Sequence, residues 1–380
     1  YIKSNKVNFP TIGIAKQEEE LTKRTQILFS GKDKAGEFYQ QVFCGIFSYV
    51  SHRIPEISDE IYKIDDALKA GFGWELGPFE TWDAIGVSES LARMKAEGRS
   101  IPAWIQTMLN SGRETFYTIE NGMRTYYDPN NNIVQQQDNG TKSLNLLLQK
   151  SAGNLIKKHW SASLIDLGDG ILNVEYHSIL QPTLNPIDGS MVEIIQTGLE
   201  LLDAGKYKGM VLGHQGANFC AGANLAGILQ FCEDKDWDGL EKTVKTFQDL
   251  TQAIRFSKAP VVAAPFQLTL GGGFEFIGPA AHRVASAELY IGAVEVGVGL
   301  IPGAGGNLRL LLNLFENAGK GGIRNAFQIA QKAFETIGFA KVATSADEAK
   351  YLAYLLKSDT VVMNDDQRIW VAKQKTMTLA

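Results

Sequence analysis

The apolar positions of this chain follow two periods, and the change between them divides it. Between residues 34 and 111 the spacing is three and four. Phe38, Val42, Phe43, Ile46, Phe47 and Val50 predict a helix over Ala35–His52, and Ile57, Ile61, Ile64 and Leu68 predict a second. Gly71-Phe-Gly-Trp-Glu-Leu-Gly-Pro78 breaks the pattern, Phe79–Ile85 and Ser88–Ala96 resume it, and Pro102 opens a further helix in whose first turn its missing N–H is tolerated. Over residues 113–137 the character changes. Phe116–Ile119 and Arg124–Tyr127 flank Asn121-Gly122, a hairpin signal, and Asp128-Pro-Asn-Asn-Asn132 reads as a loop. Thr141–Ala152 is expected as a connecting helix.

From about Ser161 strand and helix alternate. Leu164–Leu167 and Ile171–Tyr176 read as strands around the turn Gly168-Asp-Gly170, Met191–Leu202 as a helix, and Met210–Leu212 and Pro260–Ala264 as short buried strands. Between the last two, Leu240, Val244, Phe247, Leu250 and Ile254 form a helical stripe. The fold class is α/β, with a helical N-terminal domain and loops that carry the chemistry. The expected division is a linker or extension over 1–32, which holds the acidic run Glu18-Glu19-Glu20; a helical domain over 33–112; a hairpin and connecting helix over 113–160; and an α/β domain over 161–380.

Composition narrows the partners. A formal net charge of -5 and a pI near 5.7 argue against nucleic acid, which needs a basic face. An anionic ligand held by backbone N–H groups remains compatible. Cys44, Cys220 and Cys232 make no disulfide framework and no C-x-x-C pair, and a cytoplasmic location is expected. His52, His159, His177, His214 and His282 are scattered without metal-ligand spacing, so no metal is expected. No apolar run approaches the roughly 20 residues that span a bilayer. The sequence begins at Tyr1 in mid-pattern, which reads as a piece of a longer chain.

Three segments stand out: Asn218-Phe-Cys-Ala-Gly-Ala-Asn224, Leu270-Gly-Gly-Gly-Phe-Glu275, and Glu295 followed by Pro302-Gly-Ala-Gly-Gly306. Gly271–Gly273 follow a strand-like run, let the backbone approach a ligand closely and begin a helix whose free N–H groups attract developing negative charge; by themselves they better suit a tight strand-to-helix turn. Glu275 lies beside Phe274, Phe276 and Ile277, and Glu295 among Ile291, Ala293, Val294, Val296 and Val298. Two carboxylates in apolar stretches near glycine turns point to paired acid–base chemistry, where a solvated helix or strand face is the plainer alternative for each alone.

In this order the segments resemble the crotonase, or enoyl-CoA hydratase/isomerase, superfamily. The resemblance covers the central part of about 161–380 and implies a spiral of ββα turns. It also implies the roles. The backbone N–H groups of Ala223 and Gly272 form an oxyanion hole. Glu275 and Glu295, twenty positions apart, hold the attacking water, with Glu275 deprotonating it and Glu295 delivering a proton. Ala221, Asn224, Leu225 and Gly271 contact the acyl-CoA. The family usually has Asp where Asn224 stands. Residues Ile64–Gly86, with D-x-A-x-x-x-G-x-G-x-x-x-G-P-F-x-x-x-D-x-x-G, resemble the C-terminal helical domain of 3-hydroxyacyl-CoA dehydrogenases. That match spans about 33–112. Its glycines and Pro78 suggest a turn, and Asp83 a cap or local bond. No strand followed by G-x-G-x-x-G occurs in residues 1–60, so NAD is expected for a full-length parent and not for this piece. The implied protein is bifunctional, of fatty acid β-oxidation, and assembles as a homo-oligomer or with a thiolase partner. Hydration of trans-2-enoyl-CoA is the leading expectation. Enoyl-CoA isomerisation, the parent's dehydrogenase activity and a non-catalytic fragment are the alternatives.

Overall fold

The computed structural model describes residues 7–138, 140, 142–179, 181–319 and 325–380. The chain folds as two compact units, Tyr1–Asn139 and Gly140–Ala380.

In the first unit, helices Pro10–Ala15, Leu21–Ser30, Lys34–His52, Ile61–Phe72, Pro78–Ile85, Val87–Ala96 and Ala103–Asn110 precede a small sheet. The stripe read over Ala35–His52 supplies Cys44, Phe47 and Val50 to a core shared with Ile61, Phe79, Trp82, Met94, Ile105, Met108 and Phe116. Phe47 stacks on Trp82 at 4.7 Å between ring centres. The Asp33 carboxylate caps helix Lys34–His52 by accepting from the N–H groups of Ala35 and Gly36.

Residues 7–32 are ordered into helices where a linker or extension was expected. Helix Leu21–Ser30 buries Thr25 and Phe29, the Asp33 carboxylate accepts from Thr11 N at 3.0 Å, and the Gln40 amide donates to Gly31 O at 3.1 Å. The periodic signal there is two buried side chains long, too sparse to read. The second expected helix begins at Ile61, and Ile57 stays exposed.

The sheet of this unit is antiparallel: β1 (Tyr117–Glu120), β2 (Met123–Asp128) and β3 (Ile133–Gln136), in that order. Asn121 and Gly122 make the β1–β2 turn with φ 51° and 78°, as two-residue hairpin turns require. Asp83 does not bond locally. Its carboxylate accepts from Phe116 N and Tyr117 N at 2.7 and 2.9 Å, fastening helix Pro78–Ile85 to the sheet.

The second unit begins with helix Leu146–Ser151, capped by the Asn145 side chain; Thr141, where that helix was expected to start, lies outside the described residues. The strands are β4 (Leu155–Lys158), β5 (Ala162–Asp166), β6 (Ile171–Tyr176), β7 (Gly209–Leu212), β8 (Val261–Ala263), β9 (Gln267–Leu270), β10 (His282–Ser286), β11 (Leu289–Gly292) and β12 (Thr360–Val362). A seven-stranded sheet has the order β12-β10-β8-β7-β6-β5-β4, parallel from β6 to β12 and antiparallel across β4, β5 and β6.

A second, smaller sheet pairs β11 with β9 in parallel, and bridges Cys220–Thr269 and Ile187–Ala223 continue it. The chain thus steps from the large sheet to the small one and out through a helix, turn after turn. This is the spiral that the resemblance implies. Each turn sets one short loop beside the next, so segments far apart in sequence meet at the end of the small sheet. Among the described residues, no helix is long and apolar enough to cross a membrane.

Candidate active site

The small sheet ends in a cavity of about 250 Å³. Ala221, Ala223, Gly271, Gly272, Glu275 and Glu295 line it, and Leu225 does so from the start of helix Leu225–Asp234. Seven of the eight residues picked out in the sequence therefore share one chamber. Asn224 does not line it. Its Oδ1 accepts from Ala226 N and Gly227 N at 3.1 and 3.3 Å, which makes it the cap of helix Leu225–Asp234.

Glu275 sits in the short helix Gly272–Ile277, all six residues of which are buried. Its Oε1 accepts from Ala304 N and Gly306 N, both at 2.8 Å. The segment Pro302–Gly306 thus acts as an amide cradle for a carboxylate. A side chain at Gly306 would come within 3.0 Å of the Glu275 carboxyl, so only glycine admits this approach. Burial raises Glu275 to about 7, helped by the charge of Glu295 and opposed by the two N–H donors.

Glu295 opens the 3-10 turn Glu295–Val298 just after β11. Both of its carboxylate oxygens are shielded from solvent, and only the N–H groups of its own turn, at Glu295 and Val294, favour its charged form. Burial pushes it too above the ordinary carboxylate range. A carboxylate so shielded is costly to ionise, and such groups concentrate where protons are moved.

Gly271 stands between the two acids. It has φ 52° and ψ -121°, and a Cβ there would lie 3.3 Å from Glu295 Oε1. A side chain would be strained and would press on the carboxyl. The Gly272 N–H begins a helix and so has no intrahelical acceptor. A Cβ on Gly272 would lie 3.5 Å from Ala223 N, so the two amides border one spot. Two amides and two carboxyls that share a chamber can hold a carbonyl oxygen at one end and move protons at the other.

Sequence reasoning missed much of the apolar wall. Ile228, Leu240, Val244, Phe247, Val298, Leu300 and Ile301 line the cavity. Apart from the two Glu and Thr243, the lining offers only apolar side chains and glycine. The stripe on helix Trp237–Arg255 is divided: Leu250 and Ile254 are core, whereas Leu240, Val244 and Phe247 face the chamber. One signal was available, since the stripe continues past the point where the helix leaves the sheet.

The family described as Enoyl-CoA hydratase/isomerase matches residues 180–372, which contain every candidate site residue. A Bacillus subtilis (strain 168) protein named "Probable 3-hydroxyacyl-CoA dehydrogenase" is 40% identical over 379 residues, covering 100% of this chain and 46% of that relative. A Rickettsia felis "Putative fatty acid oxidation complex trifunctional enzyme" is 26% identical over 279 residues, covering 71% of this chain and 34% of the relative. The chain thus spans less than half the length of these relatives. The solved structure of an enoyl-CoA hydratase from Bacillus anthracis superposes with a TM-score of 0.47 at 22% identity, over 58% of this chain and 76% of that one.

Proposed function

Because the chain belongs to the enoyl-CoA hydratase/isomerase family, we propose that it adds water across the double bond of a trans-2-enoyl-CoA thioester to give the 3-hydroxyacyl-CoA. The single observation that carries this reading is that Glu275 and Glu295 line the same cavity as Ala223 and Gly272. The thioester oxygen sits between the amides of Ala223 and Gly272, and the β-carbon faces the two acids. As water attacks that carbon, negative charge builds on the thioester oxygen, where each N–H donor is worth roughly 3–4 kcal/mol.

Glu275 takes the proton that water loses and Glu295 supplies one to the α-carbon, so hydrogen and hydroxyl arrive from one side. Two amides at 2.8 Å favour the charged form of Glu275, which supports that division. One carboxylate suffices to shift a double bond; two favour hydration over isomerisation. The apolar lining supports a hydrocarbon tail on the acyl group. The names of the longer relatives support a following step in a larger protein, NAD-dependent oxidation of the 3-hydroxyacyl product.

The test is loss of enoyl absorbance when a short enoyl-CoA is added, with product analysis to separate hydration from double-bond migration. Glu295→Gln is expected to lower hydration at least ~100-fold with little change in melting temperature. Near-normal turnover in that variant overturns the assignment.

A further inference from the structure

Tyr354 is wholly buried, and two of its contacts converge on the loops that hold the acids. Its ring packs edge-on against Phe274, the neighbour of Glu275, at 5.0 Å between centres. Its hydroxyl donates to Lys341 O at 2.7 Å and accepts from Ala293 N at 3.2 Å. The peptide joining Gly292 to Ala293 is thereby gripped from both sides, because its carbonyl, Gly292 O, accepts from Gly271 N at 2.8 Å. Two residues beyond that peptide comes Glu295, whose carboxyl lies against Gly271. The gripped peptide is thus the point at which β11 hands over to the turn that carries the acid, a turn closed by Gly297 N to Val294 O and Leu300 N to Glu295 O.

We propose that Tyr354 is a positioning residue for Glu295: its hydroxyl, fixed by Lys341 O, holds the Gly292–Ala293 peptide and so sets where the Glu295 carboxyl stands relative to Gly271 and Glu275. This rests on the hydratase reading for its kinetic consequence and on geometry alone for its structural one. The donors that act on the carboxyl are the N–H groups of its own turn, at Val294 and Glu295, so its place is decided by its backbone. The main-chain bond at Ala293 is then one of its controls, beside those from Gly297 N to Val294 O at 2.9 Å and Leu300 N to Glu295 O at 3.0 Å within its own turn. Misplacement of a reacting group by about 1 Å can cost ~100-fold in rate.

The experiment compares the whole chain with Tyr354→Phe, which keeps the ring and removes the hydroxyl. Thr376→Val serves as a second variant that also loses a buried hydroxyl, one bonded within its own helix to Ala372 O. Two readouts are taken. Carbon-13 NMR of labelled glutamate carboxyls follows the titration of Glu295, assigned with Glu295→Gln. Hydration kinetics give kcat, KM and the pH profile.

In Tyr354→Phe, kcat is expected to fall about 10- to 100-fold with KM nearly unchanged and the pH profile displaced. The Glu295 titration is expected to move down towards the ordinary carboxylate range as water reaches the loosened side chain. Thr376→Val should alter melting only. A Tyr354→Phe protein with parental Glu295 titration overturns the proposal, whether or not the chain hydrates. So does a kinetic loss no larger than that of Thr376→Val. A parent chain that does not hydrate while Tyr354→Phe still moves the Glu295 titration leaves the positioning standing and removes the hydratase reading.

Discussion

Glu275 is held by two amides that favour its charge inside a protein wall that disfavours it, and the wall prevails. Its carboxyl is raised from 4.5 to about 7, so between those values the folded chain binds more protons than the unfolded one. Stability must then fall as pH rises through that window and level off above it. The displacement corresponds to roughly 3 kcal/mol at pH 8. Glu275→Gln keeps an oxygen for Ala304 N and Gly306 N and removes the charge. It is expected to melt above the parent at pH 8 and level with it near pH 4, while hydration collapses. An advantage of the same size at both pH values, by scanning calorimetry, would show that charge burial is not its source. Both acids were legible in the sequence because a carboxylate among apolar neighbours is conspicuous. Their supports were not. Ala304 and Gly306 act through main-chain N–H groups, which no side-chain pattern reports, and Tyr354 meets Ala293 from 61 positions further along the chain.

At the scale of elements, the helix Leu225–Asp234 forms one wall of the chamber while none of its residues is buried. Little tertiary packing holds it, so its start matters. Asn224 provides that start by accepting from Ala226 N and Gly227 N. Asn224→Ala is expected to cost about 1 kcal/mol of helix stability, seen as faster amide exchange at Ala226 and Gly227. KM for an enoyl-CoA should rise more than kcat falls, because Leu225 and Ile228 would no longer face the ligand steadily. Asn224→Asp restores the oxygen and should behave as the parent; an unchanged KM in the Ala variant would separate the cap from binding. Long periodic elements such as Lys34–His52, Gly189–Asp203 and Trp237–Arg255 were legible because a stripe of apolar positions repeats over several turns. The strands of the small sheet were less so: the run before Gly271 read as strand-like, and β11 did not. Gln267–Leu270 and Leu289–Gly292 have four residues each, and what makes them strands is pairing with one another, a property of the folded spiral.

At the scale of the molecule, the two units place their raised carboxyls in different surroundings. The second exposes its raised carboxyls to a cavity. The first encloses Asp65 and Asp83 among donors: Asp65 accepts from Phe79 N, Glu80 N and the Tyr117 hydroxyl, and Asp83 from Phe116 N and Tyr117 N. Glycines and Pro78 in that region were read as a turn; the carboxylates that fasten the turn to the sheet were not, since their partners lie far along the chain. Burial still raises both from 3.8 to about 7. Glu80 goes the other way: burial alone would raise it, but the Gly77 N–H, Arg124 and Lys69 outweigh burial and hold it below the ordinary value. The signs therefore oppose. The Glu80 contribution is lost as pH falls through its lowered pKa, and that of the two Asp declines as pH rises from about 4 to about 7. Opening free energies from amide exchange at Phe79 and Phe116, corrected for intrinsic rates, should be greatest near pH 4 to 5, fall towards about pH 7, and then stay level. Asp65→Asn should lower the whole curve, because an amide cannot accept from every donor present, and should also remove about half of the slope. A slope that survives that substitution intact would place its origin in some other group of the unit.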